Sequence, residues 1–81
     1  MMEIKLLFFG ITSDIVGVNK MDYTVKEATT VSALKEALIS NFSELKNINE
    51  FAIAINEEYV DDDVIINGND VIAIIPPVSG G

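Results

Sequence analysis

One stretch of this sequence carries apolar residues at helical spacing over several turns, and it restricts the fold more than any other feature. Val31, Leu34, Leu38 and Phe42, with Leu45 beyond them, recur every three or four residues and so share one face of a helix. Thr30 stands immediately before the run, where its hydroxyl can accept a hydrogen bond from an otherwise unpaired first-turn amide as N-cap. An amphipathic helix needs an apolar surface to cover. The segments around this one alternate with period two or are short apolar runs, which predicts a sheet as that surface.

Ile4 to Phe9 reads as a strand with Ile4, Leu6 and Phe8 on one face and Lys5, Leu7 and Phe9 on the other, a second face too apolar for plain solvent. Gly10 to Lys20 has the Gly, Ser, Asp and Asn content of a connection. It leads to Met21–Val25, where Met21, Tyr23 and Val25 alternate with polar residues, and the two strands are expected to pair antiparallel. After the helix, Phe51–Ile55 is brief and bounded by polar residues, so it reads as a strand with Phe51, Ile53 and Ile55 on one face. Asn56-Glu57-Glu58 supplies a turn before Tyr59-Val60, and Asp61-Asp62-Asp63 a further polar break. Asn67-Gly68-Asn69-Asp70 is the strongest turn signal, because Asn and Gly tolerate positive φ. Val71 to Ile75 is the last strand.

Strand, strand, helix and then further strands, with no internal repeat, predict an α+β fold: a mixed sheet packed on one main helix, as in the β-grasp fold. The expected core is Ile4, Leu6, Phe8, Leu34, Leu38, Phe42, Ile53, Ile55, Ile72 and Ile74. At 81 residues the chain has room for one domain, and such a domain buries only about 60 to 65% of its unfolded surface. With no Cys, neither disulfides nor thiolate metal sites reinforce that thin core. The domain is expected to span residues 1–75 and a flexible extended tail residues 76–81.

The cations are five lysines, Lys5, Lys20, Lys26, Lys35 and Lys46, against 13 acidic residues, with no His and no Arg. The usual general base and the bidentate phosphate clamp are therefore missing. A net charge of -8 is repelled by phosphate backbones and anionic lipid, which argues against nucleic acid and membrane and favours a protein partner with a basic surface. Asp61-Asp62-Asp63 lacks the spacing, the central Gly and the terminal Glu of a calcium loop and reads as a solvated turn, so no metal is expected. The first residues lack the cationic and long apolar regions of a signal peptide, and no apolar run approaches a membrane span of about 18 residues. A soluble, cytoplasmic protein is the expectation.

After Ile75 the character changes. Pro76 and Pro77 cannot donate to a sheet ladder and hold φ near about -65°, so the strand ends and the chain leaves extended. The six residues to Gly81 could reach at most roughly 20 Å at about 3.3 Å each. Gly80 and Gly81 have no Cβ, so the last backbone atoms fit a channel too narrow for a side chain. Ser79 has no His in the chain to serve as its base and is not read as a nucleophile.

Leu6-Leu7-Phe8-Phe9-Gly10, Thr30-Val31 with Leu34, Ala54-Ile55-Asn56 with Tyr59-Val60, Gly68 with Asp70-Val71, and above all Pro76-Pro77-Val78-Ser79-Gly80-Gly81 resemble the molybdopterin synthase small subunit over essentially the whole chain. The resemblance implies a ubiquitin-like β-grasp sulfur carrier, a non-catalytic subunit that donates sulfur within a transferase complex. It implies that Gly81 is adenylated with MgATP by an activating enzyme resembling ubiquitin's, the domain itself binding no cofactor. A sulfur donor protein then supplies the atom that makes a thiocarboxylate. The resemblance also implies insertion of Pro76, Pro77, Val78, Ser79 and Gly80 into the large synthase subunit, in a heterotetramer, where sulfur passes to cyclic pyranopterin monophosphate. This agrees with a chain that has no catalytic side chains: AMP makes the carboxyl electrophilic, and the thiocarboxylate sulfur is then a soft nucleophile.

The partner surface is expected on the outer sheet face beside the tail: Phe9 and Ile75 first, with Leu7, Tyr59 and Ala73 as weaker members. Singly each is an ordinary half-exposed sheet residue, whereas together they make an apolar patch that a monomer rarely leaves open. Two other functions share the fold and the tail, a thiamin-type sulfur carrier and a ubiquitin-like protein modifier. All three begin with the same acyl adenylate, and the acceptor separates them.

Overall fold

The computed structural model describes residues 1–47 and 51–77, and the elements below are those among the described residues. β1 (Met2–Phe8) and β2 (Lys20–Val25) form the expected antiparallel pair, with Leu6 opposite Met21 and Ile4 opposite Tyr23. β3 (Ala52–Ile55) turns into the two-residue strand β4 (Glu58–Tyr59), and β5 (Val71–Ile75) completes the sheet. The strand order is β2-β1-β5-β3-β4, with β5 parallel to β1 and antiparallel to β3. The predicted mixed sheet over one main helix is therefore the observed architecture. Its central strand is β5, the one from which the tail departs.

The main helix, α2 (Val31–Asn41), begins where Thr30 predicts: the Ala33 N–H donates to Thr30 Oγ1 at 3.2 Å while Thr30 stays extended at φ -88°, ψ 164°. Val31, Leu34 and Leu38 are fully buried in one cluster with Ile4, Leu6, Phe8, Ile53, Ile55, Ile72 and Ile74. Phe42 departs from expectation. The helix ends at Asn41, and Phe42, at φ -129°, ψ 81°, packs only partly buried at the margin of the core. A 3₁₀ turn over Ser43–Asn47 carries Leu45 inward instead, and Phe51 and Ile66 fill the remaining space.

The Gly10–Lys20 connection also differs, for it contains a short helix, α1 (Ile11–Val16), closed by Gly17 at φ 93° with its N–H donating to Ser13 O. Thr12, Ile15 and Val16 turn toward the core, a spacing too short to register against the Gly, Ser and Asp around it. In the β3–β4 loop both Asn56 and Glu57 have positive φ, 49° and 73°, the geometry a two-residue hairpin loop needs to match strand twist. Asn56 does more than turn the chain: its Oδ1 accepts from Val71 N–H at 3.0 Å and its Nδ2 donates to Asp70 Oδ1 at 3.1 Å. Asp70 Oδ2 also accepts from Asn67 N–H at 2.8 Å, and Asn69, at φ 66°, takes the left-handed position of that turn. The start of β5 is thereby fixed from both sides.

Truncating Leu38 removes packing from the face of α2 that covers the sheet. Leu38→Ala is expected to cost about 2 to 5 kcal/mol, against a total of roughly 4 to 12 kcal/mol for a domain of this length. Urea denaturation should show the lower midpoint with little change in slope.

Candidate functional site

The tail leaves from between two neighbours. β1–β5 pairing ends at Phe8 and Ile74, and β3–β5 pairing reaches Ala52 and Ile75. Pro76 then removes the next donor. The corner after β1 closes over this exit. Gly10 has φ 56° and ψ -134°, and the Thr12 N–H donates to Phe9 O at 3.1 Å, which makes Phe9–Thr12 a tight turn of the kind that needs Gly at its first central position. A Cβ on Gly10 would lie 3.2 Å from Pro76 Cγ.

The outer face follows from the registers. Residues paired across strands project to the same side, so Lys20, Leu7, Ala73, Ala54 and Tyr59 form one row across all five strands. Ile75 stands beside Ala52 in the next row, and Phe9 continues β1 alongside it, its N–H donating to Ile74 O at 3.3 Å. Phe9 is 49% exposed and Tyr59 72%, while Leu7, Ala73 and Ile75 are half-buried. Toward β2 the patch is bounded by Lys20 and by the exposed Lys5–Asp22 pair at 3.1 Å. Open grooves beside β1 are lined by Leu7, Phe9, Gly10 and Lys20. Toward β4 the chain is acidic, with Glu57, Glu58 and Asp61 to Asp63 following one another closely.

The sequence model of the ThiS family matches residues 6–81, from the middle of β1 through the Gly-Gly end. The chain belongs to the ThiS family. Molybdopterin synthase sulfur carrier subunits are similar to it along their length: that of Arabidopsis thaliana is 34% identical over 98% of this chain and 83% of its own. That of Dictyostelium discoideum is 34% identical over 98% of this chain and 96% of its own. Among solved structures, a putative molybdopterin converting factor subunit 1 from Pyrococcus furiosus superposes with a TM-score of 0.87 at 23% identity, covering 96% of this chain and all of that one. Small archaeal modifier protein 1 of Haloferax volcanii superposes at 0.84 with 17% identity, covering 96% of this chain and 100% of its own. A complex of subunits 1 and 2 of the molybdopterin-converting factor from Helicobacter pylori gives 0.69 at 23%, covering 99% of this chain and 100% of the matched one. At these identities the structural likenesses establish the ubiquitin-like β-grasp fold.

In this ThiS-family chain the five residues expected on the partner face, Phe9, Ile75, Leu7, Tyr59 and Ala73, do lie together on one side of the sheet. Pro76 and Pro77 follow β5 directly, Pro76 half-buried against the Gly10 turn and Pro77 exposed. Val78, Ser79, Gly80 and Gly81 lie outside the described residues. The Asp61–Asp63 run is an exposed turn, with Asp62 Oδ1 accepting from Lys35 Nζ at 2.8 Å. Among the described residues no helix is long and apolar enough to cross a membrane. Thr12 is not singled out by the sequence, and Gly10 enters there only as the end of the Leu6-Leu7-Phe8-Phe9-Gly10 motif and the start of a connection. The available signal was a Gly placed directly after a strand and ahead of a Thr, Ile, Val spacing.

Proposed function

We propose that this ThiS-family chain is the sulfur carrier subunit of a molybdopterin synthase and that Gly81 is its working residue. The observation that carries the reading is the 34% identity to molybdopterin synthase sulfur carrier subunits over 98% of the chain. In the proposed cycle a Gly81 carboxylate oxygen displaces pyrophosphate from MgATP on an activating adenylyltransferase. Sulfur at the sulfide level, delivered by a donor protein, then attacks the acyl carbon and displaces AMP, leaving a thiocarboxylate. That sulfur attacks cyclic pyranopterin monophosphate in the large subunit, and the carboxylate returns when water cleaves the acyl–sulfur bond. The Helicobacter pylori subunit 1 and 2 complex supports a large-subunit partner. The apolar outer face of this chain, with lysines along one margin and acid along the other, suits a partner surface of complementary charge. The cycle belongs in the cytoplasm, where ATP is available.

Reconstitution tests the reading. Thiocarboxylated protein, identified by intact mass as one oxygen replaced by sulfur, is mixed with a large subunit and the pyranopterin precursor. A dithiolene holds two sulfurs, so two carrier chains should be consumed for each molybdopterin formed. Precursor left unconverted while covalent adducts to other proteins accumulate would identify a protein modifier instead, and sulfur passing only to thiazole synthesis would identify the thiamin-type carrier.

A further inference from the structure

Among the described residues, Thr12 is the one polar residue whose side chain is fully buried, with no exposed surface. Its hydroxyl accepts from Phe9 N–H at 2.9 Å and reaches both Phe9 O at 2.6 Å and Ile74 O at 3.2 Å. The two Phe9 contacts are local and would suffice to hold the α1 turn. The third reaches a carbonyl 62 residues away in sequence, at the last β5 residue paired with β1 and two residues before Pro76. The Phe9 N–H, which donates to Thr12 Oγ1 at 2.9 Å, also reaches this carbonyl at 3.3 Å, so the Ile74 oxygen takes the longer branch of two three-centre bonds, the single Thr12 hydroxyl proton being shared with the nearer Phe9 O. Gly10 supplies the third constraint, since it lacks the Cβ that would press on the Pro76 ring.

We propose that the Gly10–Thr12 corner is a positioning device for the tail: the Thr12 hydroxyl orients the Ile74 carbonyl and the bare Gly10 seats Pro76, together setting the direction in which the chain leaves β5. The inference rests on the reading of Gly81 as the activated residue. Gly81 lies five residue steps beyond Pro76, a contour of at most about 17 Å, so a rotation of about 10° at the base displaces the tip of a fully extended chain by about 3 Å. A misplacement of about 1 Å at a reacting centre can cost on the order of a hundredfold in rate. With only part of that displacement carried to the reacting atoms, the expected effect is about tenfold. Thr12 touches neither the substrate nor a reacting atom and acts through Ile74 and Pro76.

Thr12→Val keeps the branched shape and removes the hydroxyl, whereas Thr12→Ser keeps the hydroxyl. With the intact chain and its activating enzyme, Thr12→Val should lower kcat for Gly81 adenylation about tenfold with KM unchanged, because the outer face is untouched, and Thr12→Ser should restore it. Residual dipolar couplings should show the Ile75 amide reoriented in Thr12→Val and not in Thr12→Ser. Both variants are assayed at a temperature where circular dichroism shows them fully folded. Unchanged kcat and couplings in Thr12→Val, an equal loss in Thr12→Ser, or a loss confined to KM would overturn the inference. If wild-type Gly81 is not adenylated at all, the reading of Gly81 fails, while the couplings still decide whether Thr12 orients the base of the tail.

Discussion

Deleting Gly81, or appending one residue after it, is expected to abolish thiocarboxylate formation, a loss of at least about a thousandfold, while the fold stays intact. Deletion draws the terminal carboxylate back by about 3.3 to 3.6 Å, beyond any distance at which an oxygen can attack a phosphorus held for it. Extension converts the Gly81 carboxylate into an amide, which has no nucleophilic oxygen, and places a new group where the side-chain-free tip has to pass. Neither change touches the core, whose last members on β5 are Ile72 and Ile74. Melting temperatures should therefore agree within about 1 °C. Intact mass after incubation with ATP, activating enzyme and sulfur donor gives the readout. A sulfur-bearing product from either variant would remove Gly81 from its role.

The contrast between a silent change in stability and a total loss of activity follows from how the chain divides its tasks. The longer strands and the main helix were legible in the sequence, Ile4, Leu6 and Phe8 from a spacing of two, Val31, Leu34 and Leu38 from three and four, and Phe51–Ile55 as a brief apolar run between polar residues, whereas the two-residue β4 has no period and its Glu58 reads as turn. The outer face was legible for the same reason. Once β1 and β5 are in phase, Leu7 and Ala73 must share a side, and the parallel register places them directly opposite. What escaped was built from single residues at junctions. Phe42 has the spacing of a core position, but a helix that ends one residue earlier turns it to the margin. α1 is six residues long, too short for its three inward side chains to outweigh the glycines around it. The bonds of Asn56 to Asp70 and Val71 and the Thr12–Ile74 bond join residues far apart in sequence. Local pattern carries no information about such pairs, which exist only after the sheet has formed.

Phe9 provides the sharpest test of the outer face. It lies past the end of β1 and is 49% exposed, so Phe9→Asp should leave stability within about 1 kcal/mol of wild type, as exposed substitutions generally do. In a complex the same position would be desolvated, and an unpaired carboxylate there is costly. Affinity for the large subunit is expected to fall about ten- to a hundredfold, as for loss of an aromatic anchor. Two effects of the new charge must be separated, because one more negative group on an already acidic chain also speeds encounter with a basic partner. That steering contribution acts on association and fades with salt, whereas lost packing and desolvation act on dissociation. Surface plasmon resonance at two salt concentrations should thus show a faster off-rate at both. Ile65 supplies the control: it is similarly exposed at 53% but bridges Thr30 at the N-terminal end of α2, remote from the β1–β5 patch. Ile65→Asp introduces the same charge and should leave the off-rate unchanged. Equal losses from the two substitutions would mean that net charge governs docking, and the outer face would then have no special claim to the partner.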